Sequence, residues 1–497
     1  MIRRTLRMHR GAAAAALALV TGAAWAQRTA EEARLRQEGL RHDKTMVEMM
    51  RQGGPIEFAP PLLGLELTPA DVIDIEHFAD AGVWSAWLSN GVRVLVRPMP
   101  ERPNAVEATV LLAGGELLEP ATQRGLSQGA ARLMQRPETM TIDHAELLRV
   151  LTPRLVRLSF GARRDAISIR LRGEVRELVT GLELIHALLT EPGFAPDALD
   201  EWRQVESARL RRQRSVPGNL LTTLTWEVIA GSNRSPLWPA RAEDIEAIEA
   251  TTAREWVLAH GCHAPMCIAI TGDIDAATAF SLASDYLGAL PARPRIGPES
   301  LRDYRGHVAP EAALHHEMDM ASQEETLAAA VGWFGADGDC PDTARRLQVI
   351  TMALRLQLDA AFPRERAFAT AAQFFPSAEL ERAGLVLAAG LFARESGEQL
   401  MTEFLGAIEG MIDDGVDRAA FDRARLTMAE SAARSSLEMS HWCERMAEAA
   451  YRGLSINEIV SASDLFDALT FEECQEALRR LRAHGRPVRV VIRGHRE

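Results

Sequence analysis

Apolar and polar positions begin to alternate in a regular way near Val83, and from there the chain reads as strands and helices in turn. Leu88-Ser89-Asn90-Gly91-Val92-Arg93-Val94-Leu95-Val96 carries a strand signal. A second apolar strand over 106–113 ends on Gly114-Gly115. Leu126, Ala130, Leu133 and Met134 recur at helical spacing and predict an amphipathic helix over 125–134. A hairpin is expected over 156–172, then helices over 175–189, 196–214 and 219–230, punctuated by Pro192-Gly193 and Pro217-Gly218. A fourth helix, 242–260, leads into the strand 266–271, and a helix over 276–290 closes this half.

After 291–305, which holds three prolines and no apolar period, the pattern recurs in weaker form. Strands are expected at 314–320, 327–334, 368–375, 384–392 and 488–492, with helices at 341–362, 397–414, 418–435 and 471–483. Two halves of about 200 residues with the same opening and close suggest an internal duplication. The expected layout is therefore a signal at 1–26, an extension and linker at 27–80, a first domain at 81–290, a linker at 291–308 and a second domain at 309–497.

Residues 1–26 pair a basic start (Arg3, Arg4, Arg7, Arg10) with a short apolar core and the small-x-small site Ala24-Trp25-Ala26. That is an export signal, too short to cross about 30 Å of hydrocarbon, and it predicts a periplasmic protein starting at Gln27. No later segment of the sequence has the length and apolarity of a membrane span. Removing the four signal arginines from 56 Lys+Arg leaves 52 against 69 Asp+Glu, a net charge of −17. Such a surface argues against nucleic acid as a partner. The five cysteines contain no Cys-x-x-Cys pair and predict no thiolate zinc site.

The order Leu88-x-Asn90-Gly91-Val92-Arg93-Val94, a second strand, and then a Gly125-Leu126 helix resembles the pitrilysin, insulinase and mitochondrial processing peptidase family. The resemblance covers roughly 84–494. It implies an α+β fold of two homologous metallopeptidase-like domains, each a mixed sheet packed with helices, forming a clam-like chamber. In that family the helix carries His-x-x-Glu-His, two zinc ligands one turn apart with a general base between them. Laid on this chain without gaps, the three positions hold Gln128, Ala131 and Arg132. The third ligand, a Glu on a later helix, falls on Arg209, 77 residues beyond Arg132, with Glu206 one turn earlier. An amide is a poor zinc ligand and a guanidinium none, so no metal, no other cofactor and no catalytic residue is expected, and Arg132 is expected to put its charge where the metal would sit.

Further positions follow from the same resemblance. Ser159, Phe160, Gly161 and Ala162 fall where the family presents an edge strand to substrate backbone, a mode that uses main-chain groups and can outlive catalysis. Arg364 matches an arginine that helps hold substrate in the second domain. His315 and Glu317 share one face of a strand, and such residues are more often an exposed polar pair than metal ligands. The expected function is a non-catalytic, peptide-binding subunit that pairs with a zinc-bearing homologue and takes peptide or unfolded polypeptide. Two alternatives stand beside it: a zinc endopeptidase with a shifted site using Glu206 and a distant His, and a stand-alone peptide-binding scaffold.

Overall fold

In the computed structural model the described residues are 56–301, 307–308, 312–322, 325–336, 340–363, 366–375, 380–381, 384–484 and 487–495. The expected export signal and the first part of the extension, up to Pro55, lie outside them. Ile56–Ile274 and Ala279–Glu497 form one compact unit. Asp275 caps the helix Ala276–Tyr286, accepting from the Thr278 amide at 2.9 Å.

Seven strands make the first sheet: β1 (Val72–Phe78), β2 (Val83–Leu88), β3 (Arg93–Pro98), β4 (Ala105–Ala113), β5 (Arg157–Ala162), β6 (Ala166–Glu174) and β7 (Met266–Gly272), in the order β1-β2-β3-β7-β4-β6-β5. A two-residue parallel pair joins β8 (His307–Val308) to β12 (Leu380–Glu381). The second sheet holds β9 (Leu314–Ala321), β10 (Thr326–Ala336), β11 (Ala369–Phe375), β13 (Gly384–Ala393) and β14 (Pro487–His495), in the order β11-β13-β10-β14-β9. The run β3-β7-β4-β6-β5 repeats as β9-β14-β10-β13-β11, each with one parallel pair followed by antiparallel ones. The duplication expected from the sequence is thus a repeated sheet topology.

Several local expectations change. The segment 88–96 is not one strand: it turns at Asn90-Gly91, the dipeptide favoured in tight hairpins, with Leu88 and Val92 bonded across it at 2.8 Å. Gly91 adopts φ +94°, and a Cβ there would stand 2.1 Å from the Arg293 carbonyl. That contact also corrects the linker at 291–308. Arg293 is 7% exposed and donates to the carbonyls of Cys262 at 2.9 Å and Ala264 at 3.2 Å, so the start of the segment is bound to the loop that leads into β7. Burial pushes its guanidinium down to about 10. Within 27–80, Val72–Phe78 is an edge strand rather than a linker. The helix expected over 242–260 is two, Ala242–Glu246 and Ala250–Gly261. The break lets Ile245 and Ile248 both reach the glycine face of the helix Leu126–Met134.

The two halves exchange a helix. Pro217–Ala230 of the first half lays Leu220, Leu221 and Leu224 against Ala328, Ala330, Val490 and Ile492 of the second sheet. In return Met439–Arg452, a helix not foreseen in the sequence, buries Trp442, Met446 and Ala450 against Leu95, Leu111 and Ala269 of the first. Helix His144–Arg154 was likewise unforeseen. With β7 buried along its whole length, its unbroken apolar run replaces the alternation of a one-sided strand.

Candidate functional site

The helix Leu126–Met134 is positioned from both ends of its glycine face. A Cβ on Gly129 would stand 3.0 Å from the Trp202 ring, so the helix lies close against Pro196–Ser215. That approach brings Gln128 and Arg209, at the expected first and third ligand positions, to one cavity. The Glu119 carboxylate covers the helix start, accepting from the amides of Gly125 and Ser127 at 2.7 Å each and from the Ser127 hydroxyl. Glu119 is only 8% exposed, and burial pushes its carboxyl up to about 7. Arg124, also buried, donates to the carbonyls of Asn233, Ser235 and Trp238 and holds that loop as a wall of the site.

A cavity of about 230 Å³ opens here, lined among others by Glu116, Gln128, Glu206, Arg209, Trp226 and Trp238. The Gln128 amide donates to Glu116 Oε1 at 2.8 Å. Arg209 holds Glu206 with two bonds, Nε to Oε2 at 2.9 Å and Nη2 to Oε1 at 2.5 Å, and donates to Gln213 at 3.1 Å. This fork raises the Arg209 pKa above its usual value. Of the two arginines at the expected ligand positions, Arg209 is the one that lines the cavity. Arg132, expected to put its charge at the metal position, does not line the cavity; from the last turn of its helix it is exposed and donates instead to Gln135 Oε1 at 2.9 Å. Ala131 is buried.

A zinc ion does not fit this set. Gln128 and Arg209 are donors already committed to carboxylates, and Glu206, the carboxylate of the shifted-site alternative, is gripped by Arg209. Among the described residues no three His, Cys, Asp or Glu side chains group closely enough to hold a metal ion.

Next to the helix, β5 ends the first sheet and, among the described residues, pairs only with β6. The Arg163 amide donates to the Ala166 carbonyl across the turn at 2.7 Å, which sets the parity of the ladder. Arg157, Ser159 and Gly161 then face β6, while Leu158, Phe160 and Ala162 turn their N–H and C=O groups to the open side. Phe160 O accepts from Gln135 Nε2 at 2.6 Å. The Phe160 ring itself is buried.

Elsewhere, His315 Nε2 and Glu317 Oε1 lie 3.0 Å apart on β9, and Glu317 also pairs with Arg493 at 2.8 Å, an exposed ion-pair cluster away from the cavity. Arg364 lies outside the described residues. All five cysteines are free, and burial pushes the thiols of Cys267, Cys443 and Cys474 up to about 12, which makes them unreactive. Glu116, Glu119, Gln135, Trp226 and Trp238 were not singled out from the sequence. Of these, only Glu116 and Glu119 carry a local signal, as carboxylates just ahead of a helix start.

Residues 263–428 match the family model described as the peptidase M16 inactive domain. No curated protein matches the sequence significantly. Among solved structures, a peptidase M16 inactive domain from Pseudomonas fluorescens is 18% identical, with a TM-score of 0.70 over 83% of this chain and 98% of that one. The periplasmic protease PqqL from Escherichia coli is 15% identical, with a TM-score of 0.71 over 89% of this chain and 49% of its own. The ferredoxin protease FusC, solved as a mutant in complex with Arabidopsis ferredoxin, is 16% identical, with a TM-score of 0.72 over 89% and 48%. This chain thus spans about half the length of the last two. At these identities the likeness is one of fold.

Proposed function

We propose that this chain, a degenerate and non-catalytic member of the M16 peptidases, is the peptide-binding subunit of a periplasmic heterodimer whose partner carries an intact zinc site. The carrying observation is the contrast between two neighbouring features. The metal-site positions Gln128 and Arg209 are committed to Glu116 and Glu206, whereas β5 beside them keeps an open edge. A site that has lost its ligands but kept an edge strand binds peptide without cleaving it. Two relatives that are proteases are about twice as long as the matched region, which supports a working unit of two such halves. The export pattern of residues 1–26 and the periplasmic location stated for PqqL support the compartment.

Association with the partner buries at least a standard interface of roughly 1,600 Å². Co-expression with the nearest homologue bearing His-x-x-Glu-His, followed by size-exclusion chromatography, tests the pairing. One peak holding both chains in equal amounts is expected. Two separate monomer peaks rule the subunit assignment out.

A further inference from the structure

The open edge of β5 is not equally open along its length. Of the three outward-facing residues, Leu158 and Ala162 have no hydrogen-bond partner on that side among the described residues, but the Phe160 carbonyl is already taken by the Gln135 amide at 2.6 Å. Gln135 is in turn held by Arg132, whose guanidinium donates to its Oε1 at 2.9 Å. The oxygen end of the Gln135 amide is thus fixed by a cation, and its nitrogen end is left to point at Phe160. Both residues belong to the C-terminal end of the helix Leu126–Met134, which packs beside β5.

A peptide strand added to β5 meets three N–H and three C=O groups at alternate positions. Whichever way the strand runs, the Phe160 carbonyl calls for one peptide N–H. Here the Gln135 amide already meets that oxygen on the open side of the strand, so the N–H of the peptide residue at that position must compete with it for the acceptor. An amide N–H left unpaired in an interface is penalised, whereas a residue without one is not. In an antiparallel strand proline fits that position: it lacks the N–H, its backbone is extended, and its C=O remains free to accept from the Phe160 N–H.

On the peptide-binding assignment above, we propose that Arg132 and Gln135 form a specificity-determining latch, which makes β5 select extended peptides carrying proline opposite Phe160. Arg132, at a vacated zinc-ligand position, acts through Gln135 and is a positioning residue.

The probe is a random decapeptide phage-display library panned on the full-length wild-type protein and on Gln135→Met and Gln135→Ala. Leu158→Pro serves as the site control, because it removes an outward N–H from an edge strand that tolerates proline. In the wild-type pool proline is expected to be enriched at one position and depleted two residues to either side. In both Gln135 pools that position should lose its enrichment, and resynthesised proline peptides should bind about five- to tenfold less tightly than their alanine counterparts, the worth of one recovered hydrogen bond. Arg132→Ala should give an intermediate preference. Binders lost in Leu158→Pro but depleted of proline at every alternate position overturn the latch and leave the edge as a peptide site. Binders indifferent to Leu158→Pro, or no binders at all, overturn the peptide-edge assignment itself.

Discussion

Met446 tests the exchange of helices between the two halves. It lies on Met439–Arg452, is fully buried, and shares a core with Leu95 on β3, Leu111 on β4 and Ala269 on β7, so a second-half side chain fills the layer beneath the first sheet. Met446→Ala removes that filling from a site lined by strands that cannot easily close in. Substitutions of this kind cost about 2–5 kcal/mol, and a value near 3 corresponds to roughly a hundredfold in the folding equilibrium. Urea unfolding followed by tryptophan fluorescence should show one cooperative transition at a lower midpoint. Hydrogen exchange read by mass spectrometry is the sharper assay, because it locates the loss. Amides of β3, β4 and β7 should exchange faster by about the same factor as those of 439–452, since the sheet and the helix are protected by the same packing. Faster exchange confined to 439–452, with β3, β4 and β7 unchanged, would refute the idea that this helix completes the first core.

Two further outcomes follow from the site. Burial holds the Glu119 carboxyl near 7, against an ordinary value of 4.5, so the folded state keeps a proton that the unfolded chain releases. Stability from this group is full below pH 4.5, falls as pH rises and is gone above pH 7, a loss of about 3 kcal/mol; Glu119→Gln should flatten the urea-stability profile across that window, and an unchanged slope rejects the assignment. Separately, the quadruple variant Gln128→His, Ala131→Glu, Arg132→His and Arg209→Glu should take up one zinc per chain by elemental analysis and gain about 2.7 kcal/mol of stability at a hundredfold excess over Kd. A folded variant that takes up no metal shows that 128, 132 and 209 do not converge.

Most of the elements were legible because their signals are local. The apolar run at Met266–Ile270, the glycine and proline stops, and the repeated order of strands and helices each lie within a short window. Asn90-Gly91 was also legible as a turn, but the apolar residues on both sides masked it. The exchange of helices was not legible at all. An amphipathic helix shows that it has an apolar face, not which of two similar sheets that face will meet, and the two sheets here share one topology. The site divides in the same way. Gln128 and Arg209 were linked through the family resemblance, and the two helices that carry them do meet at Gly129. Gln135 could not, since its role depends on the parity of β5, which the turn at Arg163 and Ala166 sets.

The positions that the family resemblance assigns to zinc ligands carry a bonded side-chain network rather than open space. Gln128 is bonded to Glu116, Arg209 to Glu206 and Gln213, and Arg132 to Gln135, so each polar replacement has acquired a partner of matching chemistry. A largely buried carboxylate such as Glu206, only 15% exposed, would be destabilising in a cavity it shares with Glu116 if no cation faced it. Arg209 supplies that cation, where an active site would have used a metal ion. Because Arg209 is about half exposed, solvent screens the pair and its worth is modest, and its effect is mainly on where Glu206 points. Returning the ligands therefore also withdraws a counter-charge, leaving Glu116, Glu206 and the carboxylate introduced by Arg209→Glu side by side. A divalent cation is then the natural occupant, which is why the quadruple variant should be least stable without zinc and gain most when it binds.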